Sequence, residues 1–342
     1  MSLGEAIAVA ARGDEVPAAT LEAAFDEIAR GQASPVRIAA LLVALRTKGE
    51  TVGEIAAAVR ALRRHAETAP LADPRTVDTC GTGGDGRDTF NISTIAAFVV
   101  AGAGVPVAKH GNRAASSRAG SFDVLEALGV HADLPVPAAA RLLAEVGIGP
   151  FFARRAHPAM RHVAPVRAEL PIRTVMNCLG PLLNPVGARR QLLGVYAEAL
   201  VEPIAHVLAT LGSERALVVH GSDGLDELTT TGPSLAAWLE RGAVRVFTVE
   251  PGAVGIPRAR PADLAGGDAA ENARIARAVL EGEPGPHQDV VVLNAGAALW
   301  VAEAAPDLAA GVALARSSLA SGAAKARLAA LVEASRRLAA GS

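Results

Sequence analysis

Two polar stretches separated by an apolar one carry the residue types that phosphate chemistry needs. In the first, Gly81, Gly83, Gly84 and Gly86 follow the strand-like run Thr76-Val77-Asp78, and Thr89, Asn91, Ser93 and Thr94 precede the turn to apolar sequence at Ile95. Glycine lets backbone N–H groups approach an anion closely, and small hydroxyls at a helix start add donors. In the second, Lys109, His110, Gly111, Asn112, Arg113, Ser116 and Ser117 follow the next strand, with Lys109 and Arg113 adding positive charge. Two such loops suit a substrate bearing more than one phosphate. Farther on, Asp226 and Glu227 lie side by side after the strand-like run Ala216–His220. Adjacent acids ordinarily mark an exposed loop, but a pyrophosphate site needs Mg2+, which takes one or two carboxylates together with phosphate oxygens. Arg167 sits among Ala, Val, Pro and Leu, where a guanidinium wants a carboxylate or phosphate, from a substrate or from an internal acid.

The commoner glycine motifs do not fit. Gly81, Gly83 and Gly86 spell G-x-G-x-x-G, but no Asp or Glu occurs between Asp88 and Asp123, where a dinucleotide fold needs an acid for the ribose. A P-loop is excluded because Arg87 and Asp88, not Lys and Ser/Thr, follow Gly86. A plain glycine-rich turn would leave the second polar loop a coincidence. The acidic stretch Ser222–Leu228 lacks the alternating ligands and closing Glu of a calcium loop.

These loops need a scaffold that presents strand ends. At 342 residues the chain has room for one large domain or two. Apolar residues make up 51% and aromatics only 3%, so the core must be built from Ala, Val, Leu and Ile, which suits helices laid on a parallel sheet. Residues 1–70 read as helices only. Ser34-Pro35 opens a helix with Ile38, Leu41, Leu42 and Leu45 on one face, and Gly49 stops it. Thr51 and Glu54 form a capping box for the next, with Ile55, Val59 and Leu62 inward and Arg60, Arg63 and Arg64 outward. This helical region has no polar cluster of its own and is expected to be a dimer interface or a cap on the larger domain.

After Pro70–Pro74 strands alternate with helices. Strands are expected at Thr76–Asp78, Val105–Ala108, Leu192–Tyr196, Ala216–His220, Val244–Val249 and Asp289–Leu293, and helices at Ser93–Ala101 and Ser121–Leu128. In such sheets ligands sit beyond the C-terminal strand ends, where both polar loops fall. Phe151–Arg167 has no clean period, and His162 reads as part of a surface helix start; Gly180-Pro181 and Asn184-Pro185 mark a crossing between modules. A net charge of −2, from 33 basic and 35 acidic residues, leaves no nucleic-acid footprint and no pull toward a membrane surface. Cys80 and Cys178 are too few for a disulfide framework, the longest apolar run is too short to span a bilayer, and no signal-peptide pattern opens the chain, so a cytoplasmic location is expected.

Asp78–Thr94 (DTCGTGGDGRDTFNIST), Lys109–Ser117 (KHGNRAASS), Val166-Arg167, Gly180–Pro185 (GPLLNP) and Asp223–Glu227 (DGLDE) together resemble the anthranilate phosphoribosyltransferase family, in order and spacing, over nearly the whole chain. The resemblance implies an α/β protein of nucleoside phosphorylase/phosphoribosyltransferase type. A small all-helical N-terminal domain, 1–70, is completed near 165–185 and makes a homodimer; a larger α/β domain, 71–342, has a mainly parallel central sheet. It implies transfer of a phosphoribosyl group from 5-phosphoribosyl 1-pyrophosphate (PRPP) to the amine of anthranilate, in tryptophan biosynthesis. On the matching positions, Gly81, Gly84, Asp85, Thr89, Asn91, Ile92, Ser93, Thr94, Lys109, His110, Gly111, Asn112, Arg113, Ala114, Ala115, Ser116, Ser117 and Ser121 are expected to contact PRPP. Gly81, Asn112 and Arg167 are expected to contact anthranilate, and Ser93, Asp226 and Glu227 to bind Mg2+. No general base stands out; His110 is a candidate for positioning. Arg87-Asp88 and Phe122 depart from the family's usual small residues and bear on loop closure. Two alternatives remain at this point: a pyrimidine nucleoside phosphorylase-like enzyme, and a non-enzymatic nucleic-acid-binding relative, against which the charge balance argues.

Overall fold

The computed structural model describes residues 2–114 and 118–340. Seven strands form one sheet in the order β3-β2-β1-β4-β5-β6-β7: β1 Val77–Gly81, β2 Val107–Gly111, β3 Ile148–Phe152, β4 Arg190–Gly194, β5 Arg215–Gly221, β6 Ser234–Glu240 and β7 Ala243–Val249. The strands β1 to β5 pair in parallel, while β6 and β7 add an antiparallel hairpin at one edge. The N-terminal helices are α1 Ser2–Ala10, α2 Ala18–Ala29, α3 Pro35–Lys48 and α4 Val52–Arg64. Between strands lie α5 Ile92–Gly102, α6 Ser121–Ala127, α7 Val136–Val146, the short α8 Ala153–Ala156, α9 Ala164–Glu169 and α10 Met176–Leu179, and α11 Val201–Thr210. After the sheet come α12 Ala269–Leu280, α13 Pro286–Val301, α14 Leu308–Ala320 and α15 Ala323–Ala340.

The period-two alternation of the strands divides the interior between two cores. Leu192, Leu217, Val219, Ala236 and Trp238 face a core filled by α5, α6, α7 and α12–α15. Leu193, Val195, Ala216, Val218, Ala237 and Leu239 face the other, shared by α11, the four N-terminal helices and the stretch from Val163 to Leu183. The N-terminal helices start as their caps dictate. Ser34 Oγ accepts from Arg37 N, and Thr51 and Glu54 form a reciprocal capping box. On the far side of the sheet, Trp238 of β6 and Trp300 of α13 stack with ring centroids 4.0 Å apart.

Several sequence expectations need correction. Asp289–Leu293 is not a strand but lies inside α13. Its VVVL run is β-prone, yet the helix is buried almost all round, so no helical period shows, and Pro286 at its first turn sets the start. Two strands were not foreseen. The β3 strand lies in the aperiodic Ile148–Phe152, buried throughout, and β6 follows a turn-rich stretch. Lys109, His110 and Gly111 belong to the end of β2 rather than to the loop after it, as Thr79–Gly81 belong to β1. Arg63 does not point outward: its guanidinium donates to the Leu182 carbonyl at 2.7 Å, joining α4 to the crossing segment.

Candidate active site

The site forms where the tips of β1, β2, β4 and β5 converge. The loop after β5 folds back over β1 and β4, and it fits because their tips are glycines. A Cβ on Gly81 would overlap the Asp226 carboxylate, and one on Gly194 would overlap the Asp226 backbone carbonyl. Gly83, in the left-handed region at φ 66°, donates its N–H to Asp226 Oδ2 at 2.7 Å. Ser93, in the first turn of α5, donates its N–H to Glu227 Oε1 at 3.1 Å. Both half-buried carboxylates therefore occupy donors of the kind an anion would use. Burial, then neighbouring Asp85, raises the Asp226 carboxyl above the usual carboxylate range; burial, then Asp226, does the same to Glu227. Neither acid has a salt-bridged cation among the described residues. Two neighbouring carboxylates with only the Lys109 ammonium to offset them, and no salt bridge, fit a divalent cation. The described residues supply no group of three or more His, Cys, Asp or Glu for a closed metal site, so the remaining oxygens would come from substrate and water.

The second stretch closes on the first. Lys109 is only 3% exposed; its ammonium donates to the Thr79 carbonyl and, at 3.3 Å, to Ser93 Oγ, bringing a cation under the start of α5. Beneath it, buried Asp78 accepts from Asn184 Nδ2 at 2.9 Å and from the His110 N–H at 3.3 Å. The Nε2 atoms of His110 and His157 lie 3.2 Å apart. Burial foremost holds His110 down to about 3 and His157 down to about 4, so both rings are neutral near pH 7. Beyond Gly111, Asn112 Oδ1 accepts from Arg113 N at 2.9 Å and its carbonyl accepts from Ser121 Oγ at 3.2 Å. Arg113 pairs with Glu126 at 2.6 Å and lies over the Phe152 ring. That ring stacks in turn on Phe122, so the unusual Phe122 packs beneath the loop rather than into the cleft.

The opposite wall comes from the crossing segment. Arg167 of α9 lines the cleft, and its side chain has no hydrogen-bond or ion-pair partner among the described residues. The residue is exposed overall, and desolvation by burial draws its guanidinium pKa below the ordinary arginine value. Arg173 donates to the Gly84 carbonyl and stacks over Tyr196, 4.1 Å from the ring centroid. Tyr196 N in turn donates to Thr82 Oγ1 at 2.9 Å.

One cleft of about 370 Å³ thus brings together Gly81, Gly84, Asp85, Thr89, Asn91, Ile92, Ser93, Thr94, Lys109, His110, Gly111, Asn112, Arg113, Ala114, Ser121, Arg167, Asp226 and Glu227. Ala115, Ser116 and Ser117 lie outside the described residues. The side chain of Asn91 is engaged internally: Oδ1 accepts from Asn272 and Nδ2 donates to the Ala119 carbonyl. Arg87 does not line the cleft; its guanidinium lies against Gly224, while Asp88, at φ 49°, offers its carbonyl to Gly266 N. Sequence reasoning missed Thr82, Arg173, Asn177 and Tyr196, which also line the cleft. The signal for Arg173 and Asn177 was their position between two motifs already singled out.

Residues 5–66 match the family model described as "Glycosyl transferase family, helical bundle domain", and residues 73–325 match "Glycosyl transferase family, a/b domain". The chain is 56% identical over 338 residues to the anthranilate phosphoribosyltransferase of Rubrobacter xylanophilus, covering 98% of each. Among solved structures it is similar to the anthranilate phosphoribosyltransferase of Thermus thermophilus, with TM-score 0.93 and 47% identity over 97% of this chain and 99% of that one. It is also similar to the Saccharomyces cerevisiae enzyme in complex with PRPP and Mg, with TM-score 0.89 and 28% identity over 98% of both chains.

Proposed function

The chain belongs to the anthranilate phosphoribosyltransferase family, and on that premise we propose how its own residues transfer the phosphoribosyl group of PRPP to the amine of anthranilate. The products are N-(5-phosphoribosyl)anthranilate and pyrophosphate, in tryptophan biosynthesis. The observation that carries the assignment of roles is one cleft that gathers both polar stretches, two neighbouring carboxylates without a salt bridge and a guanidinium with no side-chain partner among the described residues.

The glycine loop Gly81–Thr94 and the stretch Lys109–Ser121 hold PRPP between them. The glycine-loop N–H groups that Asp226 and Glu227 leave free, the first-turn hydroxyls and the Lys109 ammonium would serve the diphosphate and gain strength as negative charge gathers there. Arg167 binds the anthranilate carboxylate as a fork, with Gly81 and Asn112 at the same end. The amine of anthranilate is a weak nucleophile, so catalysis rests on placing it behind the ribose C1 and stabilising the departing group. Attack opposite the pyrophosphate inverts the anomeric carbon. His110, neutral and bonded to His157, positions rather than takes a proton. Asp226 and Glu227, with Ser93, would hold Mg2+, which when bound neutralises the leaving diphosphate.

The helical part, 1–70 with 165–185, makes a homodimer in this reading. Support comes from α3, whose outward side exposes Val36 (77%) and Val43 (37%), two helical turns apart. The described helices include none long and apolar enough to cross a membrane; a cytoplasmic location and no membrane partner are part of the same reading. The net charge of −2 is in keeping with no nucleic-acid partner. Mixing the protein with anthranilate, PRPP and Mg2+ tests the activity. Anthranilate fluorescence is expected to fall only with all three present. Turnover of a pyrimidine nucleoside with phosphate instead would reject the assignment.

A further inference from the structure

Both stretches that form the PRPP site are tied to a segment that takes no part in the cleft. Ala265 forms an antiparallel bridge with Thr89, and Gly266 N donates to the Asp88 carbonyl at 2.9 Å. Gly266 must be glycine at this approach, because a Cβ there would overlap the Phe90 backbone. The third tie is made of side chains. Gly267 N donates to Asn272 Oδ1 at 2.7 Å, Asn272 Nδ2 to Asn91 Oδ1 at 2.9 Å, and Asn91 Nδ2 to the Ala119 carbonyl at 3.2 Å. The run begins on a backbone N–H and ends on a backbone carbonyl. Those two groups have fixed polarity, so they set the orientation of both amides; flipping either would oppose donor to donor or acceptor to acceptor. Asn272 is buried at 2% exposure and lines no part of the cleft. Asn91, at the N-cap of α5, makes no side-chain cap bond, because its amide is spent on the relay. It thereby joins the start of α5 to the far root of the second stretch.

We propose that Asn272 is a positioning residue for PRPP: acting through Asn91, it holds the glycine loop and the Lys109–Ser121 stretch at the spacing the phosphorylated sugar requires. The inference rests on the PRPP assignment made above. Arg167, which serves the anthranilate end, has no part in the relay, so the two substrates are affected unequally.

The isosteric Asn272→Asp separates position from packing. One carboxylate oxygen still accepts from Gly267 N, but the other meets Asn91 Oδ1. Turning Asn91 over to donate to it brings the Asn91 oxygen against the Ala119 carbonyl, so either arrangement loses a link. Asn272→Asp and Asn272→Ala are each expected to raise KM for PRPP about tenfold and to leave KM for anthranilate within about twofold. Calorimetric titration with PRPP and Mg2+, without anthranilate, should show the same loss. Asn91→Ala combined with Asn272→Ala should cost no more than Asn91→Ala alone, since Asn272 acts through it. The proposal is overturned by equal changes in both KM values, by additive effects in the double variant, or by a lowered melting temperature with unchanged PRPP affinity. Wild-type protein that fails to consume anthranilate would instead reject the functional reading, and the calorimetric arm keeps the two failures apart.

Discussion

Arg167 offers the cleft a guanidinium with no hydrogen-bond or ion-pair partner among the described residues. Removing it as Arg167→Ala is expected to raise KM for anthranilate roughly 10- to 100-fold and KM for PRPP far less. Steady-state kinetics with each substrate varied checks this, and equal effects would show that the arginine does not grip anthranilate. Replacing both acids, Asp226→Asn with Glu227→Gln, is expected to abolish Mg2+-dependent turnover by at least about two orders of magnitude. Full activity in that variant, measured across a Mg2+ titration, would reject the metal assignment. The histidine pair makes a prediction about stability. His110 and His157 fall from the ordinary 6.5 to about 3 and about 4 in the folded state, so the unfolded chain binds more protons between these values. Their contribution is whole above pH 6.5 and is lost as pH falls through 6.5 toward 4, by up to about 1.4 kcal/mol per pH unit for each ring. Urea unfolding from pH 8 to pH 4 should show this slope, and His157→Gln should flatten it. At this scale, residues whose types are conspicuous together were legible in the sequence: clustered glycines, paired acids, Lys109 and Arg113. Arg173 and Asn272 were not. Their partners are the Gly84 carbonyl and another amide, and neither leaves a mark in residue type.

Elements were legible where a cap, a turn or a polar loop marks their ends, and hidden where no such boundary accompanies a fully buried run. The capping box of α4 and the cap of α3 could be read from four residues because the chemistry is local. The α13 helix could not: with Val290–Leu299 buried on every side, its sequence carries no helical period and reads as a strand. The β3 strand is as buried as β1, β2 and β4, but it runs directly into α8 with no polar loop to mark its end. The strand tips were placed correctly beside the loops, but their terminal glycines serve a purpose the sequence did not disclose. Gly194 admits the Asp226 carbonyl, and Gly194→Ala is expected to push the acidic loop off β4. Activity should fall at least about tenfold, with a loss of stability of about 2 kcal/mol from overpacking. Gly187→Ala, outside the cleft, meets no atom within 4 Å and carries only the penalty of its positive φ, about 1 kcal/mol, so it serves as the control. Thermal unfolding and turnover of the two variants, side by side, distinguish crowding from backbone strain.

At the scale of the molecule, one sheet serves two cores, and the cleft opens where strand tips meet the crossing segment. The strand–helix alternation was sufficient to anticipate a mainly parallel sheet with helices on both faces. The antiparallel β6–β7 hairpin was not anticipated, although its two-residue turn Arg241-Gly242, both at positive φ, is too short for a crossover and is the mark of a hairpin. Association should follow α3. Charged variants Val36→Asp and Val43→Asp, on its exposed side, are expected to give monomers in sedimentation experiments if the helical part is the dimer interface, and unchanged dimers would move the interface elsewhere. The stacked indoles of Trp238 and Trp300 are the only tryptophans in the chain, and neither borders the cleft. Tryptophan emission, as distinct from that of Tyr196 in the cleft, therefore comes from a single tight couple wedged between β6 and α13, a gauge of whether that seam is intact. It will stay almost silent as ligands come and go, leaving the fluorescence of anthranilate itself to be followed in the same cuvette.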